Sequence, residues 1–124
     1  MSDPNQTPMS DSLRHLTERL RAFAAARDWD QFHSPKNLAM AVAAEAGELL
    51  EHFQWLTEEQ SRNLAADKRA EVAHELGDVL NFMVRLADQL GIDLPAAAHE
   101  KVTMNETRYP AEKARGTAKK YNEL

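Results

Sequence analysis

The sequence predicts an all-α fold of four helices, in which the two central helices form an antiparallel hairpin. Strand signals are nearly absent, and apolar side chains recur every three or four residues along four segments. Capping residues mark several of the segment ends. We expect a disordered segment over residues 1–11, a single domain over residues 12–110, and an extended tail over residues 111–124.

The first two helices are predicted from their apolar stripes and from one capping signal. The first runs from about Ser12 to Arg27, and its stripe consists of Leu13, Leu16, Leu20 and Phe23. Ser34 and Pro35 begin the second, because serine caps helix N-termini and proline suits the first helical position. This helix is expected to end near Trp55, and its stripe consists of Leu38, Val42, Ala46, Leu49 and Phe53.

The third and fourth helices follow a connection that holds a short helical turn, which the capping-box pattern from Thr57 to Gln60 predicts. Asp67 is expected to cap the third helix, and Gly91 to end it. Its stripe consists of Val72, Leu76, Val79, Met83, Leu86 and Leu90. Asp93 and Pro95 open the fourth helix, which stops at Tyr109 and Pro110.

Composition excludes several classes of function. The chain has 124 residues, a net charge of −5 and no cysteine. The acidic balance argues against general nucleic-acid binding, and no apolar run approaches the ~20 residues that span a membrane. The polar N-terminus is not a secretory signal, so we expect a cytoplasmic protein. Alanine-rich helices bury little surface on their own, which favours partner subunits.

Two acidic pairs are the most informative motifs in the chain. Glu45 and Glu48 lie three residues apart on the second helix, as do Glu75 and Asp78 on the third. Residues at this spacing share one face of a helix. Hard cations such as Mg²⁺ take oxygen ligands and leave room for water and substrate phosphates. The pattern is typical of a metal-dependent phosphate enzyme, provided that the pairs meet.

The hairpin geometry predicts that the two pairs do meet. Each acid immediately precedes a stripe residue, so in both helices the carboxylates flank the apolar seam on the same rotational side. Antiparallel packing brings such offsets to the same edge of the seam. The pairs are also equally distant from the middle of the connection, so they lie level in a simple hairpin.

Other interpretations of these acids stay open. They can be surface acids of a non-catalytic helical module that binds a metal or a partner. Glu51, one turn beyond Glu48, can join the metal site or activate water. Glu71 and His74 form the Glu-x-x-His unit of di-iron bundles, but such sites need a second unit that we do not find.

Two further groups of residues suit a nucleotide. Lys101, Asn105 and Arg108 share one face of the fourth helix, where they can grip a polyphosphate or form a solvated polar face. Trp29 and His33 lie in a loop, and Trp55 ends the second helix. Aromatic rings can stack on a nucleobase, although both tryptophans can equally be core or interface anchors.

Taken together, these motifs resemble the all-α nucleoside triphosphate pyrophosphohydrolases of the MazG-like superfamily, and most of all its dCTP pyrophosphatase branch. The similarity extends over nearly everything from residue 13 onward. It comprises Phe23–His33, Pro35, Asn37–Leu38, the two acidic motifs, Phe53–Trp55, Asp93–Pro95, Lys101, Asn105, Arg108–Pro110, Arg115–Gly116 and Lys120–Tyr121.

The resemblance implies hydrolysis of a nucleoside triphosphate to monophosphate and pyrophosphate, with Mg²⁺, or Mn²⁺ as a substitute, on the four acids. It implies a homodimer or homotetramer with sites at the subunit interface. Trp29, His33 and Trp55 would line the nucleotide site, and Lys101, Asn105, Arg108 and Tyr109 would hold phosphates. Phe82 is also expected in the substrate site. Phe82 and Leu20 stand where the dCTP branch can carry Tyr and His, so the preferred base stays open.

Overall fold

The structure is a computed structural model that describes residues 8–124, with side-chain burial from residue 11 onward. Over that range it is all-α, without a strand, and the fold-class prediction is confirmed at this level. The α-helices are α1 Pro8–Ala26, α2 Pro35–Glu51, α3 Glu58–Arg62, α4 Ala66–Leu90, α5 Leu94–Arg108 and α6 Ala111–Ala114. Short 3-10 helices occupy Asp30–Phe32 and Tyr121–Glu123. Along the described chain, no helix is long and apolar enough to cross a membrane.

The described chain divides into two compact units, the first ending at Gly91 and the second spanning Ile92–Leu124. In the first unit α2 packs along α4, and α1 also packs on α4. Glu45 of α2 faces Glu75 of α4, while His52, after α2, lies 4.0 Å from the earlier residue Glu71. As residue numbers rise along α2, the residues that they contact on α4 have lower numbers. The two helices are therefore antiparallel, as the sequence predicts.

Some helix boundaries differ from those expected. Helix α1 begins at Pro8 rather than Ser12, so only residues 1–7 of the segment expected to be disordered lie outside the described residues. Helix α2 ends at Glu51 rather than near Trp55, because the amides of Phe53 and Gln54 both donate to the Leu50 carbonyl and turn the chain.

The capping predictions are confirmed for Ser34, Thr57, Gly91 and Asp93. Thr57 and Gln60 form a complete capping box. Asp67 does not cap α4, however. Ala65 stands at the N-cap, and Asp67 lies inside the first turn, where its Oδ1 accepts from the Lys68 amide at 2.9 Å. A carboxylate in the first turn still faces the positive end of the helix dipole.

The loop after α1 is held in one conformation by backbone bonds. The Trp29 amide donates to the Ala24 carbonyl at 2.9 Å, and the Asp28 amide to Ala25 at 3.2 Å. Asp28 has a φ of 53°, so these bonds form a Schellman-type helix end with aspartate in the left-handed position. The same motif brings Trp29 back onto Phe23, with ring centroids 5.6 Å apart. The aromatic loop is therefore positioned by the end of α1.

The apolar stripes are only partly buried in the single chain. Leu38 and Val72 are buried as predicted, but Leu76, Met83 and Leu90 of the predicted α4 stripe are exposed by 51%, 37% and 53%. Phe23 on the α1 stripe is exposed too. The periodicity correctly marks the apolar side of α4, but α1 and α2 leave part of that side uncovered.

The second unit consists of α5 and the segment that follows it. The expected extended tail is in fact structured, since it contains α6 and the 3-10 helix Tyr121–Glu123. Tyr121 packs edge-on against Tyr109, with centroids 6.1 Å apart, and the Arg108 guanidinium lies 5.1 Å from the Tyr121 ring centroid. The tail thus returns to the C-terminal end of α5.

Candidate active site

Three carboxylates converge where α2 faces α4. One oxygen each from Glu45, Glu48 and Glu75 lies within 4.8 Å of the other two. Glu45 and Glu75 are half-buried, whereas Glu48 is exposed. The antiparallel pairing puts these acids level, and their spacing turns them toward the same edge. Three oxygens at this separation match the ligand set of a divalent cation.

Two oxygens in this cluster have no partner. Glu45 Oε2 and Glu75 Oε1 are buried and accept no hydrogen bond from the described residues. A contact between two ionised carboxylates supplies no proton, so it cannot satisfy either oxygen. An unpaired buried anion is costly. This set of carboxylate oxygens therefore fits a bound cation.

The crowding of negative charge changes the acidity of the cluster. The pKa of Glu45 is raised, first by its contact with the Glu75 carboxyl and then by partial burial and the charges of Glu75 and Asp78. The pKa of Glu48 is raised mainly by its contact with Glu45. A bound cation would reverse this tendency, because it favours the charged forms.

Asp78 lies at the edge of the cluster and lines an adjoining cavity. It contributes to the field at Glu45, but it does not belong to the three-oxygen group. Glu51 does not belong to that group either, although its charge acts on Glu48. The structure therefore brings together three of the four predicted acids, while the fourth, Asp78, lines the cavity.

The adjoining cavity has a volume of about 510 Å³, which is within the usual range for a small-molecule site. Its wall includes the predicted residues Trp29, His33 and Phe82. Apolar side chains from α1 form much of the remainder, and the polar groups are few: Arg19, His33, Asp78, Asn81 and Arg85. A mostly apolar cavity with a few polar groups beside a cation site suits a heterocyclic base joined to phosphates.

Arg85 organises the polar side of this cavity. It is a charged residue only 4% exposed. Its Nη2 donates to Asp30 Oδ1 at 2.8 Å, and its Nε donates to His33 Nδ1 at 3.3 Å. Asp88 lies 3.7 Å from its Nη1 and also accepts two bonds from Arg21. This network ties α1, the aromatic loop and α4 together.

The other predicted substrate residues are not among those that line this cavity. Trp55 is 87% exposed on the turn after α2 and does not line this cavity. Lys101, Asn105, Arg108 and Tyr109 all belong to the second unit, on α5 and at its end. There Asn105 and Tyr109 are half-buried, and the Asn105 carbonyl accepts from the Tyr109 amide at 2.7 Å.

The sequence interpretation missed Arg85, Asn81 and Asp30. A signal for two of them was present, because Asn81 and Arg85 continue the face of Asp78 at helical steps of three and four. Arg85 also interrupts an apolar run between Val84 and Leu86. Its partner Asp30 is distant in sequence, so only the fold reveals the pair.

Known proteins resemble this chain in sequence and in structure. Residues 40–124 match the model of the MazG-like family. The chain is 47% identical over 119 residues to the human and mouse proteins named dCTP pyrophosphatase 1, which covers 94% of this chain and 68% of each relative. A crystal structure of a pyrophosphatase from Archaeoglobus fulgidus superimposes with a TM-score of 0.75 at 32% identity, over 89% of this chain and 99% of that one.

Proposed function

Because the chain belongs to the MazG-like family, we propose that it hydrolyses a deoxynucleoside or nucleoside triphosphate to the monophosphate and pyrophosphate. The proposed substrate is dCTP or a related pyrimidine nucleotide, as the names of its relatives suggest. One observation supports this most strongly: three convergent carboxylates, two of them with unpaired buried oxygens, adjoin a cavity of suitable size. Such an activity would remove unwanted nucleotides from a cytoplasmic pool.

The metal of this proposal is Mg²⁺, with Mn²⁺ as a possible substitute. Glu45, Glu48 and Glu75 would hold it, with Asp78 as the fourth acid. When bound, the metal would neutralise phosphate charge and activate a water molecule. The unpaired oxygens of Glu45 and Glu75 support this assignment, because they are acceptors that the described protein groups leave open.

The nucleotide would be bound by two groups of side chains. Trp29, His33 and Phe82 line the cavity that we assign to the base, and the exposed Trp55 would add a stacking surface. Lys101, Asn105, Arg108 and Tyr109 would hold the phosphates. Lys101 and Arg108 would stabilise the charge that develops on the leaving pyrophosphate, and the acids would orient the reacting phosphate.

We further propose that the enzyme works as a homodimer or homotetramer, in which the four long helices form the bundle expected from the sequence. The uncovered apolar side of α4, with Leu76, Leu80 and Met83 exposed, supports this. These residues lie at helical steps of four and three, so they form one face. Contiguous exposed apolar surface of this kind marks interaction sites.

A substrate panel tests the reaction. Purified protein would be incubated with Mg²⁺ and the common ribo- and deoxynucleoside triphosphates, and the products separated. We expect monophosphate and pyrophosphate, with dCTP or a related pyrimidine nucleotide turned over fastest. No turnover with either Mg²⁺ or Mn²⁺ would instead indicate a non-catalytic helical module that binds a metal or a partner.

Single substitutions test the acids. Glu48→Ala and Asp78→Ala should each reduce kcat by at least about 100-fold while the fold survives, because each removes one of the four acids proposed to hold the metal. Glu59→Ala, at an exposed acid on α3, is the matched control and should retain activity. Circular dichroism checks the fold of each variant. Near-normal turnover by Glu48→Ala or Asp78→Ala would refute the role assigned to that residue.

A further inference from the structure

We propose that Arg85 is a positioning residue that holds His33 as the neutral tautomer protonated on Nε2. The cavity then offers a fixed hydrogen-bond donor to an acceptor atom of the nucleobase. This inference rests on the proposed function in one respect, namely that the cavity binds the base. It assigns to Arg85 a role in base selectivity, which is separate from the chemistry of the acids.

The tautomer follows from the donors around His33. A guanidinium has five N–H donors and no acceptor. Both Nε and Nη2 of Arg85 lie 3.3 Å from His33 Nδ1. Nδ1 must therefore be the acceptor, and the single proton of the neutral ring resides on Nε2.

The surroundings keep Arg85 in this orientation. The side chain is 5% exposed and contacts carboxylates of Asp30 at 2.8 Å and Asp88 at 3.7 Å. If His33 were protonated, its Nδ1–H would point toward the guanidinium. The hydrogen bond from Arg85 would then be lost, and two positive charges would be in contact. In agreement, the pKa of His33 is lowered by burial first and by the Arg85 charge second, with Asp30 opposing.

A fixed donor matters because most of the cavity wall is apolar. Leu16, Leu20, Phe23 and Phe82 line it and offer no hydrogen bond to a base. A site that donates to a base penalises a base without the acceptor, because the buried donor stays unpaired.

Cytosine presents two adjacent acceptors, O2 and N3, whereas uracil carries a donor at N3. A donor on His33 Nε2 that faces N3 thus favours cytosine over uracil, whereas O2 is an acceptor in both bases. If the ring could exchange its tautomers, an acceptor would face the cavity part of the time and the preference would weaken. Arg85 prevents this exchange by occupying Nδ1.

Nuclear magnetic resonance of the wild-type protein tests the tautomer directly. Long-range ¹H–¹⁵N correlation on the full chain labelled with ¹⁵N-histidine distinguishes the two ring nitrogens of His33. We expect Nδ1 to be unprotonated and Nε2 protonated at neutral pH, and dCMP to shift the Nε2–H resonance. A proton on Nδ1, or an Nε2–H signal that ignores saturating dCMP, would overturn the inference.

Two arginine variants separate this role from simple stabilisation. Arg85→Gln should raise KM for dCTP about tenfold with little change in kcat, and should reduce the preference for dCTP over dUTP by a similar factor. Arg21→Gln breaks the neighbouring pair with Asp88 but does not contact His33. Because that pair holds one wall of the cavity, the control readouts are the base preference and the His33 spectrum rather than KM, and both should stay unchanged. Equal effects of the two substitutions would show that Arg85 acts only on stability.

A second pair of variants tests the inference even if Arg85→Gln does not fold. His33→Gln keeps an amide donor near the Nε2 position and should retain much of the dCTP preference, whereas His33→Leu should lose it. Equal preference in the two variants would contradict the inference. If no triphosphate is hydrolysed while dCMP still shifts the Nε2–H resonance, the proposed function fails and the positioning role stands.

Discussion

At the scale of single residues, the acidic cluster opposes the stability of the fold. Glu45, Glu48 and Glu75 bring like charges together, and the pKa of Glu45 is raised by contact with Glu75. A group with a raised pKa in the folded state stabilises the fold most below its ordinary pKa. That contribution is lost as the pH rises through the folded value. At neutral pH the metal-free cluster therefore weakens the fold.

Glu45→Gln should separate metal binding from stability. Without metal at neutral pH, the variant should melt at a higher temperature than the wild type, because one of the crowded charges is gone. Mg²⁺ should stabilise the wild type by about 2.7 kcal/mol at a 100-fold excess over its Kd, and the variant much less. Thermal melting with EDTA and with Mg²⁺ measures both effects.

Glu59→Gln, at an exposed acid outside the cluster, serves as the control and should respond to Mg²⁺ as the wild type does. A full Mg²⁺ response in Glu45→Gln would show that this carboxylate is not a ligand. A lower melting point of the metal-free variant would show that Glu45 does not oppose folding.

At the scale of helices, α1 is joined to α4 by an ion pair as well as by apolar contacts. Arg21 donates from Nε to Asp88 Oδ2 at 2.7 Å and from Nη2 to the other oxygen. Asp88 is 14% exposed, and Arg85 lies on its other side. The pKa of Asp88 is lowered, mainly by the hydrogen bonds from Arg21. This pairing holds α1, which supplies one wall of the cavity, against α4.

Asp88→Asn should make the free energy of unfolding less dependent on pH in the acidic range. A carboxylate with a lowered pKa stabilises the fold above its unfolded value of about 3.9, and that stability is lost as the pH falls through the folded value. The variant should therefore be less stable than the wild type at pH 7. The difference should shrink below about pH 4.

Urea unfolding at several pH values measures this difference, and the Arg21→Gln single and double variants test its origin. The double variant should lose less than the sum of the two single losses, because both remove the same pair. Additive losses, or a difference from the wild type that persists at low pH, would contradict the assignment.

At the scale of the whole molecule, self-association would explain the exposed apolar surface. Leu76, Leu80 and Met83 on one face of α4 are exposed, as is Trp55 after α2. A helix face of this composition is normally covered by another element or another subunit. In the proposed oligomer, a second chain covers it and residues from two chains complete each site.

Mixing two inactive variants tests whether sites are shared between chains. Glu48→Ala lacks an acid of the first unit, and Lys101→Ala lacks a cation of the second. If one site draws these residues from different chains of a dimer, equal mixing after unfolding should restore roughly a quarter of the wild-type activity. If a single chain supplies both residues, the mixed dimers should regain essentially none.

Light scattering should first establish the mass in solution, with a dimer or tetramer of the 14.0 kDa chain expected. Leu80→Arg should lower that mass, since it places a charge on the exposed face, whereas Gln89→Arg at another exposed position of α4 should not. A monomeric, fully active wild-type enzyme would refute the oligomer proposal.

The sequence by itself determined the all-α class, the antiparallel pairing of α2 with α4, and the meeting of Glu45, Glu48 and Glu75. These features follow from local periodicity, capping chemistry and the level register of a simple hairpin. Helix ends were predicted less well, at Pro8 and Glu51, because small differences between backbone bonds decide where a helix stops.

Only the tertiary structure decided which side chains surround the cavity and which part of each apolar stripe is covered. Arg85 meets His33 and Asp30 across more than fifty residues of sequence, and no periodic pattern relates them. Likewise, the α4 stripe has the same apolar periodicity whether α2 covers it or not. Periodicity reports which side of a helix is apolar, whereas packing decides what that side contacts.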